Sequence, residues 1–145
     1  LDIRDRLAEL GFASFCKVSG GKGYHVVVPL EPLAGWDRVK GFSHDFARAM
    51  AQAEPDRYTA TLSKKARAGR IFIDYLRNGR GATAVAPFSL RARPGAAVAV
   101  PVPWADVEAG IAPDAFAAGS DRLRTMLKAA DPWDGFREAA RPLRG

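Results

Sequence analysis

Only one cysteine, Cys16, stands among the 145 residues, so no disulfide can form within the chain. That usage suits a reducing, cytoplasmic compartment and leaves stability to the hydrophobic core. Long apolar runs are also missing. None approaches the ~20 residues a membrane helix needs, so no membrane partner is expected. Nothing reads as a targeting segment, because the opening "LDIRDRLAEL" is charged and amphipathic throughout. Leu1 is not an initiator methionine, and the expectation is a portion of a longer chain. Acidic residues are in deficit, 16 against 22 lysines and arginines, which leaves a net charge of +6 and a pI near 9.9. That imbalance favours an anionic partner, of which nucleotide or nucleic acid is the usual one. Repeats, low-complexity tracts and clear linkers are absent.

What is present is a normal globular composition, 48% hydrophobic, enough for one domain without an internal boundary over residues 1–145. Ile3, Leu7 and Leu10 recur at helical spacing and Gly11 follows as a stop, so residues 2–10 read as a helix. "SFCKV" (14–18) and "YHVVVPL" (24–30) read as strands around a glycine turn, the second ended by Pro29. Trp36, Val39, Phe42 or Ser43, Phe46 and Met50 mark one face of a helix over 36–53. "RIFIDYL" (70–76) is rich in β-branched and aromatic residues and reads as a strand. "AAVAVPVPW" is extended and broken by proline, which suits an edge strand or a surface crossing. Short helices are expected at 104–110 and 120–130, with Trp133 and Phe136 of the tail packing onto the body. Hairpin-like strands beside separate helices give an α+β fold, a mixed or antiparallel sheet flanked by helices.

The stretch "KVSGGKGYHVVVPL" puts three glycines, a serine and a lysine between two strands. It is not a P-loop, since Lys22 is followed by Gly23 and then by a strand instead of Ser or Thr and a helix. It is not a dinucleotide fingerprint either, because Val26 occupies the place of the third glycine. Backbone N–H groups in such a turn can still form an anion-binding nest. Ser19, Lys22 and His25 would add a hydroxyl, a positive charge and a ring N–H converging on one phosphate. A plain hairpin with a solvated lysine, and a His25 that is merely packed, stay open as alternatives. Cys16, in an apolar run, reads as core filler.

Asp74 lies within "RIFIDYL", on one face with Phe72 and Leu76. A carboxylate inside a strand apolar on both faces is costly unless it is paired or bound to metal. Asp74 could hold a hard cation such as Mg²⁺ or Mn²⁺, or pair with Arg70 or Arg77; both readings stay open. "RNGRGATAVAPFSLRARPG" carries Arg77, Arg80, Arg91 and Arg93 among small residues that allow close approach to a polyanion. A solvated basic loop is the alternative. Phe88 reads as core, not as a stacking platform.

Taken together, "SGGKGYH", "RIFIDYLRNGRGATAVAPFSLRARP" and the closing "DPW" resemble the primase-polymerase domain of bacterial ATP-dependent DNA ligase D, of the archaeo-eukaryotic primase superfamily. The resemblance spans essentially the whole chain and corresponds to the C-terminal part of such a domain. It implies addition of nucleotides, often ribonucleotides, to DNA ends during non-homologous end joining, by in-line attack of a primer 3′-OH on the α-phosphate. It implies a two-ion site of Mn²⁺ or Mg²⁺, a nucleoside triphosphate and DNA ends as ligands, and a Ku-type end-binding partner. Asp74 matches the third-motif metal ligand, and Asp74 and His25 the catalytic positions. Ser19, Lys22 and His25 match residues that contact the incoming triphosphate, Gly20 and Gly21 the close backbone approach, and Arg91 an arginine of the nucleotide pocket. Arg77 and Arg80 would face DNA. The family's D-x-D metal motif does not occur within these residues and is expected before Leu1. Without it the fragment is expected to be inactive as a polymerase. A catalytically dead nucleotide- or DNA-binding remnant, or a docking module, is the alternative.

Overall fold

A computed structural model describes residues 1–143. In chain order the elements are α1 (Asp2–Glu9), β1 (Phe15–Val18), β2 (Tyr24–Val27), α2 (Trp36–Ala53), β3 (Tyr58–Thr59), β4 (Ile71–Phe72), a 3₁₀ turn (Leu76–Asn78), β5 (Val100–Val102), α3 (Trp104–Glu108) and α4 (Asp121–Lys128). The chain divides into two compact units. One combines Leu1–Glu31 with Val85–Arg141; the other comprises Pro32–Ala84 and the residues from Pro142. No helix among the described residues is long and apolar enough to cross a membrane.

The first unit is built on an antiparallel sheet of order β2-β1-β5. Alternation along β1 divides its residues between two faces. Cys16 and Val18 pair with Val102 and Val100 and, with Val98, Ile111 and Phe116, form a buried core. Trp104 and Val107 on and near α3, and Leu123 and Met126 on α4, pack against it. Burial of each such aliphatic side chain is worth about 1.5–3 kcal/mol, so this face carries much of the unit's stability. Lys17 lies on the other face, opposite His25 of β2 and Pro101 of β5. Pro101 cannot donate to a ladder, and its strand lies at the sheet edge.

The tail closes the same unit. The Trp133 and Phe136 rings stack at 5.2 Å, and Phe15 meets Phe136 edge-on at 5.0 Å. Trp133 Nε1 donates to the Cys16 carbonyl at 2.8 Å, which satisfies the indole as burial requires. On α4, Ser120 caps the helix by accepting from Leu123 N–H at 3.2 Å, and Asp121 follows in the first turn, where a carboxylate favours the helix dipole.

In the second unit α2 buries Met50 of the stripe read from the sequence and Ala47 beside it, while Trp36, at the start of that stripe, is exposed. β3 and β4 form a two-stranded parallel ladder with Tyr58 opposite Ile71 and Thr59 opposite Phe72. The strand expected over 70–76 is therefore much shorter. Ile73 N–H still donates to the Thr59 carbonyl at 3.0 Å, but β3 offers no residue beyond it, and pairing stops. Arg67 lays its guanidinium 3.9 Å from the Phe72 ring centre, a cation–π contact.

Candidate phosphate-binding turn

The glycine turn joins β1 to β2 and is closed by Ser19 N–H donating to the Gly23 carbonyl at 3.1 Å. Ser19 is 8% exposed, and its Oγ accepts from Gly21 N–H at 3.2 Å. Gly20 has φ +66°, a left-handed conformation that side chains resist, and its N–H donates to the Pro113 carbonyl at 2.9 Å. The serine and glycines thus make a tight backbone corner, with Lys22 exposed at its tip and His25 half-buried on β2.

A second hairpin runs against this corner. Arg91 N–H donates to the Ala97 carbonyl at 2.8 Å, Leu90 bridges to Val98, and Ala99 N–H donates to the Ser89 carbonyl at 3.0 Å. It brings Arg91 to Gly20, and it brings Arg93 to Gly21 from the bend at its tip, where Arg93 N–H donates to the Arg91 carbonyl at 2.8 Å. A Cβ on Gly20 would lie 2.8 Å from Arg91 Cγ, and one on Gly21 would lie 3.5 Å from Arg93 Nη1. The sequence reading named Arg91 but gave Arg93 no role at the turn.

It also missed Lys17. This lysine is 4% exposed, and its Nζ donates to the Val85 carbonyl. Burial, and then the neighbouring Arg91 charge, hold its ammonium below the usual lysine range. The signal was present in the sequence: a turn spanning 19–23 sets Val18 against Tyr24 and hence Lys17 against His25. Among the described residues, no ion pair uses Lys17, Lys22, Arg91 or Arg93; the ion pairs formed involve Arg4, Arg6, His44, Arg57 and Arg124. A group of cations around a glycine corner, without carboxylate partners, suits a polyanionic ligand.

Phe88, expected in the core, is instead 54% exposed and has φ +62°. Its N–H donates to the Ala99 carbonyl at 2.6 Å, and this bond, at the start of the second hairpin, fixes the strained backbone while the ring points outward.

The second unit holds Asp74, Arg77 and Arg80, all exposed. Asp74 is neither buried nor in a strand, which corrects the argument from burial cost. It follows the end of β4, and its Oδ1 accepts from Leu76 N–H at 3.0 Å, an Asx turn that starts the 3₁₀ segment. The alternative of an ion pair with Arg70 or Arg77 is not formed. A divalent ion needs several oxygen donors. The described residues contain no group of three or more His, Cys, Asp or Glu that could hold one. Asp74 alone does not make a metal centre.

A sequence model described as the LigD primase-polymerase domain matches residues 1–133. The chain belongs to this family. It is 51% identical over 96 residues to the multifunctional non-homologous end joining protein LigD of Pseudomonas aeruginosa, a match covering 66% of this chain and 11% of that protein. It is 36% identical over 106 residues to the LigD of Mycobacterium bovis, covering 73% and 14%. With the bifunctional non-homologous end joining protein LigD of Bacillus subtilis the figures are 29% over 126 residues, 85% and 21%. Among solved structures, the polymerase domain from Mycobacterium tuberculosis ligase D in complex with DNA aligns with TM-score 0.81 at 31% identity, covering 95% of this chain and 47% of that one. The chain therefore spans a small part of these curated relatives and about half of the solved domain. The α+β architecture agrees with that structural match.

Proposed function

We propose that residues 1–145 are the triphosphate-binding, C-terminal part of a primase-polymerase domain that adds nucleotides to DNA ends in non-homologous end joining. The observation that carries the reading is the set of cations around the β1–β2 corner without carboxylate partners. Ser19, Gly20 and Gly21 supply close backbone approach, and Lys22, His25 and Arg91 position and neutralise the triphosphate. In water-poor surroundings such charge-assisted hydrogen bonds are about twice as strong as neutral ones. Arg77 and Arg80 track a DNA backbone, with Ku-bound ends in the bacterial cytoplasm as the setting; a relative solved in complex with DNA supports that ligand class.

Asp74 is proposed as one carboxylate ligand of an Mn²⁺ or Mg²⁺ site. The described residues contain no group of three or more His, Cys, Asp or Glu that would complete it. The same lack favours a second outcome for the isolated chain: nucleotide binding without primer extension.

Titration calorimetry of ATP into the chain, with and without Mn²⁺, tests the reading. Binding that is lost in His25→Ala is expected, with a gain from Mn²⁺ that depends on Asp74. No binding in any form would overturn it and leave only common ancestry and fold.

A further inference from the structure

Lys17 is the one buried lysine of the described residues. Burying an ammonium costs several kcal/mol unless it is paired. The hydrogen bond found for it is to a neutral carbonyl, that of Val85, and no carboxylate pairs with it. The charged or titratable neighbours on its face of the sheet are His25, directly across the β1–β2 ladder, and Arg91 of the second hairpin, which repels it; Pro101 on β5 is uncharged. Two positive charges, Lys17 and Arg91, have thus been placed close together, the first of them buried. A methionine would fill the same volume at no electrostatic cost. The arrangement becomes favourable when an anion supplies the missing countercharge.

We infer that Lys17 is a positioning residue for the triphosphate: a fixed cation under the β1–β2 corner that supplies charge to the bound phosphates and, through Val85, ties the approach to the second hairpin to β1. It does not touch the ligand, being only 4% exposed with its ammonium turned to the Val85 carbonyl. It acts through the field at His25 and Arg91. The inference rests on the anion-binding reading of the same turn and adds a residue to it.

Binding linkage makes this testable in the unaltered chain. If protonated Lys17 favours the anion, the anion must favour protonated Lys17 by the same factor. The Lys17 side chain is followed by NMR in ¹³C-lysine-labelled protein while pH is raised, with and without saturating inorganic tripolyphosphate. Its titration is expected to move up by about one unit, equivalent to about tenfold in affinity. Lys64 and Lys65, exposed in the other unit, serve as the internal reference. Lys17→Met is then expected to weaken tripolyphosphate about tenfold and pyrophosphate less, a dependence on ligand charge that a purely structural role would not produce. Lys17→Arg, which keeps the charge, should restore part of the loss.

The outcomes separate the two readings. Tripolyphosphate binding with Lys17 moving no more than Lys64 and Lys65 overturns the role of Lys17 and leaves the pocket standing. An equal loss for every ligand in Lys17→Met, unrelieved in Lys17→Arg, overturns it too. Absence of tripolyphosphate binding in the unaltered chain overturns the pocket and this inference with it.

Discussion

Gly20 lies directly against the stem of Arg91: a methyl group at Gly20 would be 2.8 Å from Arg91 Cγ and 3.1 Å from the Ala97 carbonyl oxygen. The contact couples two hairpins that are far apart in sequence. It explains why a corner between strands would keep a glycine that is both left-handed and close-packed, where a free turn needs only the first property.

Gly20→Ala tests that coupling. The left-handed conformation costs an alanine about 1–2 kcal/mol, and displacing the second hairpin adds about 1–3 kcal/mol of overpacking. A lower midpoint in urea is expected, together with weaker ATP binding because Arg91 moves. Gly23→Ala is the control, as nothing lies within 4 Å of its added Cβ and its φ is not left-handed. Equal effects from both substitutions would mean that turn flexibility, not contact with Arg91, is what Gly20 supplies.

Asp74 separates a local bond from an ionic role. Asp74→Asn keeps an oxygen able to accept from Leu76 N–H, whereas Asp74→Ala removes it. A net hydrogen bond is worth about 0.5–1.5 kcal/mol, so only Asp74→Ala should lose stability to that extent. Both remove the negative charge, so both should lose any Mn²⁺-dependent gain in ATP affinity while keeping metal-free binding. Retention of the Mn²⁺ effect in Asp74→Asn would rule out Asp74 as the ion's carboxylate.

How far the sequence was legible depended on whether local pattern or tertiary pairing decided each element. The apolar stripe from Trp36 to Met50 placed α2 at its observed bounds, because helical periodicity is a local property. The glycine corner was legible for the same reason, and its symmetry even encoded the Lys17–His25 apposition. "RIFIDYL" misled because strand propensity cannot see the partner: β3 supplies two residues, so Asp74 falls beyond the ladder and turns back on Leu76. Phe88 was assigned to the core from its apolarity, yet the hairpin it begins points it outward. Arg93 was visible only as one charge among several until the second hairpin brought it to Gly21.

The exposed arginines of the second unit can be judged by salt. If Arg77 and Arg80 each neutralise one phosphate, the slope of log affinity against log salt for a short duplex end should fall by about 1 for each alanine substitution. The loss should be similar for duplexes of different sequence, since phosphate contacts carry no base information. Affinity should fall without a change in melting temperature, because neither residue is buried. An unchanged slope in the double variant would remove both from the DNA surface.

Cys16 gives the alkaline side of stability a definite sign. It is 1% exposed, and burial raises its thiol from 9.0 to about 11. At pH 8 its thiolate is on the order of a hundredfold scarcer than that of an unperturbed cysteine, so alkylation of the native chain should be slow and should accelerate only on unfolding. Between about pH 9 and 11 the native state keeps a proton that the unfolded chain releases. This group's contribution, up to about 2–3 kcal/mol, is therefore present below pH 9 and lost as pH rises through 11. Lys17, whose ammonium is held below its ordinary range, acts with the opposite sign, because the unfolded chain keeps its proton longer. The two must be separated by difference. Urea midpoints of the parent and of Cys16→Ala, measured from pH 8 to 11, should converge on the alkaline side as the parent alone loses the thiol contribution. Parallel curves would mean that the thiol titrates alike in both states and that its burial exerts no such control.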